Sequence, residues 1–102
     1  METIPYDKRS GKIWFNSKFV DWKDAKVHVL NHGLHYASCV FEGERVYDGE
    51  IFKLEDHTSR LFHSARRMGI KIPYNESDIN KASKEAVAVQ KVKDGYVRPV
   101  VW

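Results

Sequence analysis

A single cysteine in 102 residues removes two kinds of stabilisation from consideration. Cys39 alone can neither close an intrachain disulfide nor build a cysteine-rich zinc site. No stretch of about 18 apolar residues occurs, so the sequence predicts no membrane-spanning helix. The first ten residues, METIPYDKRS, have no apolar signal core and predict no secretory targeting. Repeats, low-complexity tracts and an interdomain linker are also missing. Charge of one sign is scarce: 17 Lys and Arg against 14 Asp and Glu leave +3. The only adjacent basic pairs are Lys8-Arg9 and Arg66-Arg67, too sparse for a surface that tracks a phosphate backbone. What is present is ordinary: 42% hydrophobic and 13% aromatic residues, enough for one small core and too few residues for two. The expectation is a cytoplasmic protein with no nucleic-acid or membrane partner.

Residues 1-11 are polar and read as an N-terminal extension, with a domain over 12-102. Lys12-Val20 predicts a short hairpin turning at Asn16-Ser17, and Asp21-Asp24 a second, charged turn. Residues 25-39 mix β-branched residues, three histidines and Gly33, predicting a strand that runs into a loop or short helix. Val40-Tyr47 and Glu50-Leu54 read as a hairpin across Asp48-Gly49, the strongest turn signal in the chain. From Leu54 the period becomes helical, with Leu54, Leu61, Ala65 and Met68 on one face and Phe62 on its flank. Acids in its first turn, Arg66 and Arg67 in its last and a following Gly69 all suit a helix ending there. Asn75, with Asp78 three residues on, predicts the cap of a second helix whose buried stripe is Ile79, Ala82, Ala86 and Val89. Tyr96-Trp102 reads as a final strand ending on an apolar run, as though the chain stopped inside a larger fold.

Several residues invite chemical readings. His28, His32 and His35 would point one way on a continuous helix, as three zinc ligands do. Val27, Val29 and Gly33 argue against that helix, and loop histidines making hydrogen bonds are expected instead, with no metal site. Cys39, beside Val40 and Phe41, reads as a buried small hydrophobe and not as a nucleophile. Arg60 is either a solvated arginine or an anchor for phosphate or carboxylate. Arg98 sits in an apolar strand, where a charge must find a partner or open onto a pocket. Tyr96, two residues away, leaves the same face, so the pair suits a bound carboxylate, although an internal salt bridge serves equally. Tyr36 and Phe41 carry no signal of their own. Composition and periodicity lead to a mixed α+β domain with a possible anion-binding strand.

Four segments taken together go further: IWFNSKFVDWKDAKVHVL, NHGLHYASCVFEGERVY, IFKLEDHTSRLFHSA and GYVRPVVW. In this order they resemble the small N-terminal domain of branched-chain amino acid aminotransferases, pyridoxal-phosphate enzymes of fold type IV. D-amino acid aminotransferase and aminodeoxychorismate lyase share the HxxRL arginine but match the rest less well. The resemblance implies an α+β fold, a twisted antiparallel sheet with two helices packed on it, in a dimer-based homo-oligomer. It implies that Arg60 holds the phosphate of pyridoxal 5'-phosphate, Tyr96 the substrate α-carboxylate and Arg98 the distal carboxylate of glutamate or 2-oxoglutarate. Phe41 would line the apolar side-chain pocket, and Tyr36 would reach in from the neighbouring subunit. The partners implied are amino acid and 2-oxo acid substrates and a missing large domain. Three departures stand out. Ser17 replaces a frequent glycine, and Glu44, in FEGER, replaces a frequent apolar residue, where it would alter pocket polarity or face solvent. None of the eleven lysines matches the one that forms the Schiff base, so the resemblance implies a catalytically incomplete chain. A non-catalytic module that pairs with a related subunit or binds phosphorylated ligands is the alternative from outside the enzyme class.

Overall fold

The computed structural model describes residues 3-102. Strands β1 (Lys12-Phe15) and β2 (Lys18-Asp21) form the first hairpin, in the register Ile13 with Val20 and Trp14 with Phe19. Asn16 and Ser17 both take positive φ, 47° and 74°, as a two-residue turn between right-twisted strands demands. A 3-10 turn at Trp22-Asp24 follows, where the sequence predicts a charged turn. Trp22 supports the preceding segment: Tyr6 stacks on it at 6.3 Å between centroids, and the Arg9 guanidinium lies over both rings.

Residues 25-31 form no strand, contrary to expectation. Val27, Val29 and Leu30 are exposed and, among the described residues, no strand offers them an edge, so the β-branched character of the two valines is not used. The chain instead enters α1 (His32-Tyr36), a short helix capped by the Asn31 side chain, which accepts from the Leu34 amide. It leaves through Ala37 in the left-handed conformation. Cys39 follows in the surface connector and is exposed, not buried as expected.

Among the described residues the antiparallel sheet is divided into three small sheets, and α1, the short helix expected within 25-39, accompanies the two longer helices. β3 (Val40-Phe41) pairs with β7 (Val100-Val101), and β4 (Glu44-Tyr47) lies between β5 (Glu50-Ile51) and β6 (Gly95-Val97). The β3-β7 and β4-β6 pairings keep one register, Val40 with Val101 and Phe41 with Val100, then Glu44 with Val97 and Arg45 with Tyr96. They are halves of one ribbon interrupted at Pro99, which has no N-H to give the ladder. The Glu42 amide still donates to the Pro99 carbonyl at 3.1 Å across the break. The Tyr96-Trp102 strand of the sequence reading is therefore two strands. Trp102, at the end of that apolar run, packs on Phe15 at 5.5 Å between centroids.

β5 stops at Ile51, because Lys53 turns into the left-handed region and α2 (Leu54-Arg67) begins. Its buried face is Leu54, Thr58, Leu61 and Ala65. Met68 is 48% exposed, although its angular position fits that stripe, because the helix ends at Arg67 and the chain turns away. The exit is built on Gly69 at φ 74°: its amide donates to Arg66 and the Ile70 amide to Ala65, closing the last carbonyls. α3 (Glu76-Gln90) opens with a reciprocal capping box between Asn75 and Asp78. It buries Ile79, Ala82, Ser83 and Val87. Val89 is exposed, since ten residues beyond Ile79 a helical position has turned about 80° away. Thr58 donates to Asn80 between the helices, and Gln90 donates to the Lys12 carbonyl, fastening α3 to β1.

Candidate functional site

The ribbon made by β3-β4 and β6-β7 has two unlike faces, and each carries part of the candidate chemistry. Glu42, Glu44 and Val46 alternate onto the inner face and are 5%, 1% and 0% exposed. Phe41, Arg45, Tyr47, Tyr96, Arg98 and Val100 stand on the outer face and are all exposed. Directly opposed side chains of an antiparallel pair share a face, which is why residues as distant in sequence as Arg45 and Tyr96, or Phe41 and Val100, meet here.

On the outer face three of the sequence-predicted site residues come together. The Arg98 guanidinium lies 4.6 Å from the Phe41 ring centroid and 5.4 Å from that of Tyr96. Its Nε also donates to the Tyr96 hydroxyl at 3.2 Å. Among the described residues no carboxylate pairs with Arg98, so its charge is balanced only by two aromatic faces. Gly43, across from Arg98, makes the Tyr96 position possible. A Cβ there would lie 2.5 Å from the phenol oxygen, so only hydrogen leaves the niche open. Gly43 and Arg45, which sits directly opposite Tyr96, are residues of this face that sequence reasoning missed. The period-2 alternation through FEGERVY was the available signal.

On the inner face Glu42 is a hub. Its carboxylate accepts from Arg60 through Nε and Nη2, both at 2.8 Å, and from Nδ1 of His57 at 2.6 Å. Arg60 is thus neither simply solvated nor free: its inner edge is bonded while the side chain stays 66% exposed. The Arg60 bonds hold the Glu42 carboxyl below its ordinary value, with His57 assisting against the opposing effect of burial. Glu42 was not singled out from the sequence, because its partners lie 15 and 18 residues away.

Glu44, next on that face, neither faces solvent nor lies on the side of Tyr96 and Arg98. Both its oxygens are buried without a hydrogen-bond partner among the described residues. Burial pushes its carboxyl up to about 7, with the Glu42 charge adding to the rise and His57 opposing it.

Tyr36 stands apart. It is 72% exposed and lies against His32, tilted, at 4.5 Å between ring centroids, with no hydrogen bond or ring contact to Phe41, Tyr96 or Arg98. The three histidines nearby are engaged locally. His28 Nδ1 accepts from the Leu30 amide, His32 bonds Ser38 and His35 bonds the Val29 carbonyl. A separate apolar cleft of about 680 Å³ runs between β1, α3 and β6-β7, walled by residues such as Trp14, Ile79, Val87, Val97 and Trp102. Tyr96 and Arg98 reach its wall; Phe41 and Arg60 do not.

The ribbon, α2 and the two arginines all lie within the stretch of chain that matches a known family. The family model described as amino-transferase class IV covers residues 39-102, and the chain belongs to that family. Its relatives include a probable branched-chain-amino-acid aminotransferase of Rickettsia felis, 46% identical over all of this chain and 35% of that protein. The branched-chain-amino-acid aminotransferase of Pseudomonas aeruginosa is 46% identical over 92% of this chain and 32% of its own length. Among solved structures, the T.th. branched-chain amino acid aminotransferase complexed with N-(5'-phosphopyridoxyl)-L-glutamate superposes with a TM-score of 0.88. It is 38% identical over 92% of this chain and 33% of its own. The chain spans about a third of the length of the relatives it matches.

Proposed function

We propose that this chain is part of a pyridoxal-phosphate-dependent branched-chain amino acid aminotransferase. The reaction exchanges the amino group of L-leucine, L-isoleucine or L-valine for the keto oxygen of 2-oxoglutarate, giving a branched 2-oxo acid and L-glutamate. The observation that carries this reading is the outer-face cluster, in which one guanidinium rests on two aromatic rings. One pocket must accept an aliphatic chain and a carboxylate in turn, and this cluster offers an apolar wall and a cation side by side. Arg98 meets the distal carboxylate of glutamate or 2-oxoglutarate, Tyr96 binds the α-carboxylate and Phe41 lines the aliphatic pocket. Tyr36, exposed on α1, serves the pocket of a neighbouring subunit in a dimer-based assembly.

Pyridoxal phosphate supplies the electron sink that lets a proton leave the substrate Cα. The residues here fit its phosphate and nothing more of it. Arg60 spends Nε and one Nη2 hydrogen on Glu42, which leaves the other three N-H groups of an exposed guanidinium for an anion. The lysine that holds the cofactor and moves the proton belongs to the large domain that the relatives' greater length accommodates. The complete enzyme works in the cytoplasm. Pyridoxal phosphate titration of the 102-residue chain, then borohydride reduction and peptide mapping, tests this division. Expected is no label, or scattered substoichiometric label; stoichiometric reduction onto one lysine would show a complete cofactor site and sink the division.

A further inference from the structure

We infer that Glu42 is a positioning residue for Arg60, fixing the guanidinium so that its outer edge meets the cofactor phosphate. This rests on the reading of Arg60 as the phosphate anchor. Arg60 projects from α2 with no other bonded partner among the described residues, and an arginine side chain free in water samples many rotamers. Glu42 is the opposite: 5% exposed, on a ribbon whose backbone is held by the hydrogen bond its amide donates to the Pro99 carbonyl. Two parallel N-H···O bonds at 2.8 Å to one carboxylate define the plane of the guanidinium as well as its place. His57, one helical turn before Arg60, donates to the same Oε1 and stops the carboxylate from swinging away. The groups facing Glu42 are therefore His57 and Arg60 from α2 and Glu44 from its own strand face.

The geometry carries an opposing effect, and this makes the inference testable. A carboxylate beside Arg60 cancels part of the charge that attracts phosphate. If neutralisation were its main influence, removing it would tighten anion binding. If orientation dominates, removing it weakens binding, because the guanidinium must be immobilised anew for each phosphate bound.

The experiment uses the isotope-labelled 102-residue chain, titrated with inorganic phosphate at constant ionic strength. Two readouts are followed by NMR: the phosphate dissociation constant and the Arg60 Nε-Hε signal. Expected for Glu42→Gln, which leaves one good acceptor, is a roughly tenfold weaker affinity and an Arg60 signal that moves to the free-arginine position and exchanges fast with water. Glu42→Asp, with its charge kept and its reach shortened, is expected between wild type and Gln on both readouts. A thermal midpoint measured in parallel separates these effects from loss of fold, and if Gln fails to fold the Asp variant decides alone. Unchanged or tighter phosphate binding in the variants, with Arg60→Ala still abolishing it, overturns the positioning role and leaves Arg60 as the anchor. Phosphate binding that survives Arg60→Ala, or none in the wild type, overturns the anchor reading and the positioning role with it.

Discussion

In a chimera with this chain in place of the matching third of the Pseudomonas aeruginosa enzyme, Arg98→Met lowers kcat/KM for 2-oxoglutarate by about a hundredfold to a thousandfold. That range, about 3-4 kcal/mol, lies within the roughly 2-5 kcal/mol lost on removing one member of a desolvated, hydrogen-bonded charge pair. The leucine half-reaction changes by no more than about fivefold, because methionine keeps an apolar surface of similar length against Phe41 and Tyr96. The asymmetry is the informative part. Arg98 rests on two rings with no carboxylate of its own among the described residues, so its charge is available to a ligand that has one. Steady-state kinetics with each substrate varied in turn reads the split. An equal fall for both substrates would mean that Arg98 holds the pocket together and does not choose between its occupants.

Replacing Glu44 by leucine stabilises the 102-residue chain at pH 8 by on the order of 3 kcal/mol and flattens its pH dependence. Glu44 is 1% exposed and both oxygens lack partners among the described residues, a costly arrangement for a carboxyl and worse for a carboxylate. With the folded carboxyl at about 7 and the unfolded one near its ordinary 4.5, only the unfolded chain releases this proton in between. Stability from Glu44 being neutral is fully present below 4.5, falls as pH rises and is gone above 7. Glu42 works in the reverse sense: its lowered carboxyl contributes above 4.5 and is lost as acid protonates it, so the two are separable by pH. Denaturant unfolding at pH 5, 6, 7 and 8 measures both the gain and the slope. A leucine variant that kept the wild-type slope between pH 5 and 7 would refute the assignment to Glu44. Glutamine, neutral but still unpartnered, should flatten the slope and gain less stability at pH 8 than leucine does.

Local chemistry was the readable part of the sequence. Asn16-Ser17 and Asp48-Gly49 announced their turns because few residues tolerate the positive φ that each position takes. Asn75 with Asp78 announced a helix start, because the cap is a contact between residues three apart. Stripes were readable in phase and less so at their ends: Leu54, Leu61 and Ala65 are buried, whereas Met68 and Val89 are not. The 25-31 segment misled because β-branched residues need an adjacent strand, and whether one exists is decided elsewhere in the chain.

The site divides along the same line. Tyr96 and Arg98, two apart on a strand, could be placed side by side from spacing, and they bond one another. That Phe41 joins them depends on strand register across more than fifty residues, which no local pattern encodes; the motif resemblance supplied it. Glu42 and Glu44 went unseen as buried groups although the clue was present. Val46 is the apolar member of their alternating set, and its face was bound to be the covered one. Two acids on the covered face of a strand contradict binary patterning, and such contradictions fall where function or strain is held.

The most direct test of the account is the amino-donor profile of the chimera itself. Purified with pyridoxal phosphate and 2-oxoglutarate, it is expected to turn over L-leucine, L-isoleucine and L-valine, with D-alanine at background. A folded, cofactor-loaded chimera that ignored the branched L-amino acids, or preferred D-alanine, would contradict the claim that this chain carries half of a branched-chain aminotransferase pocket.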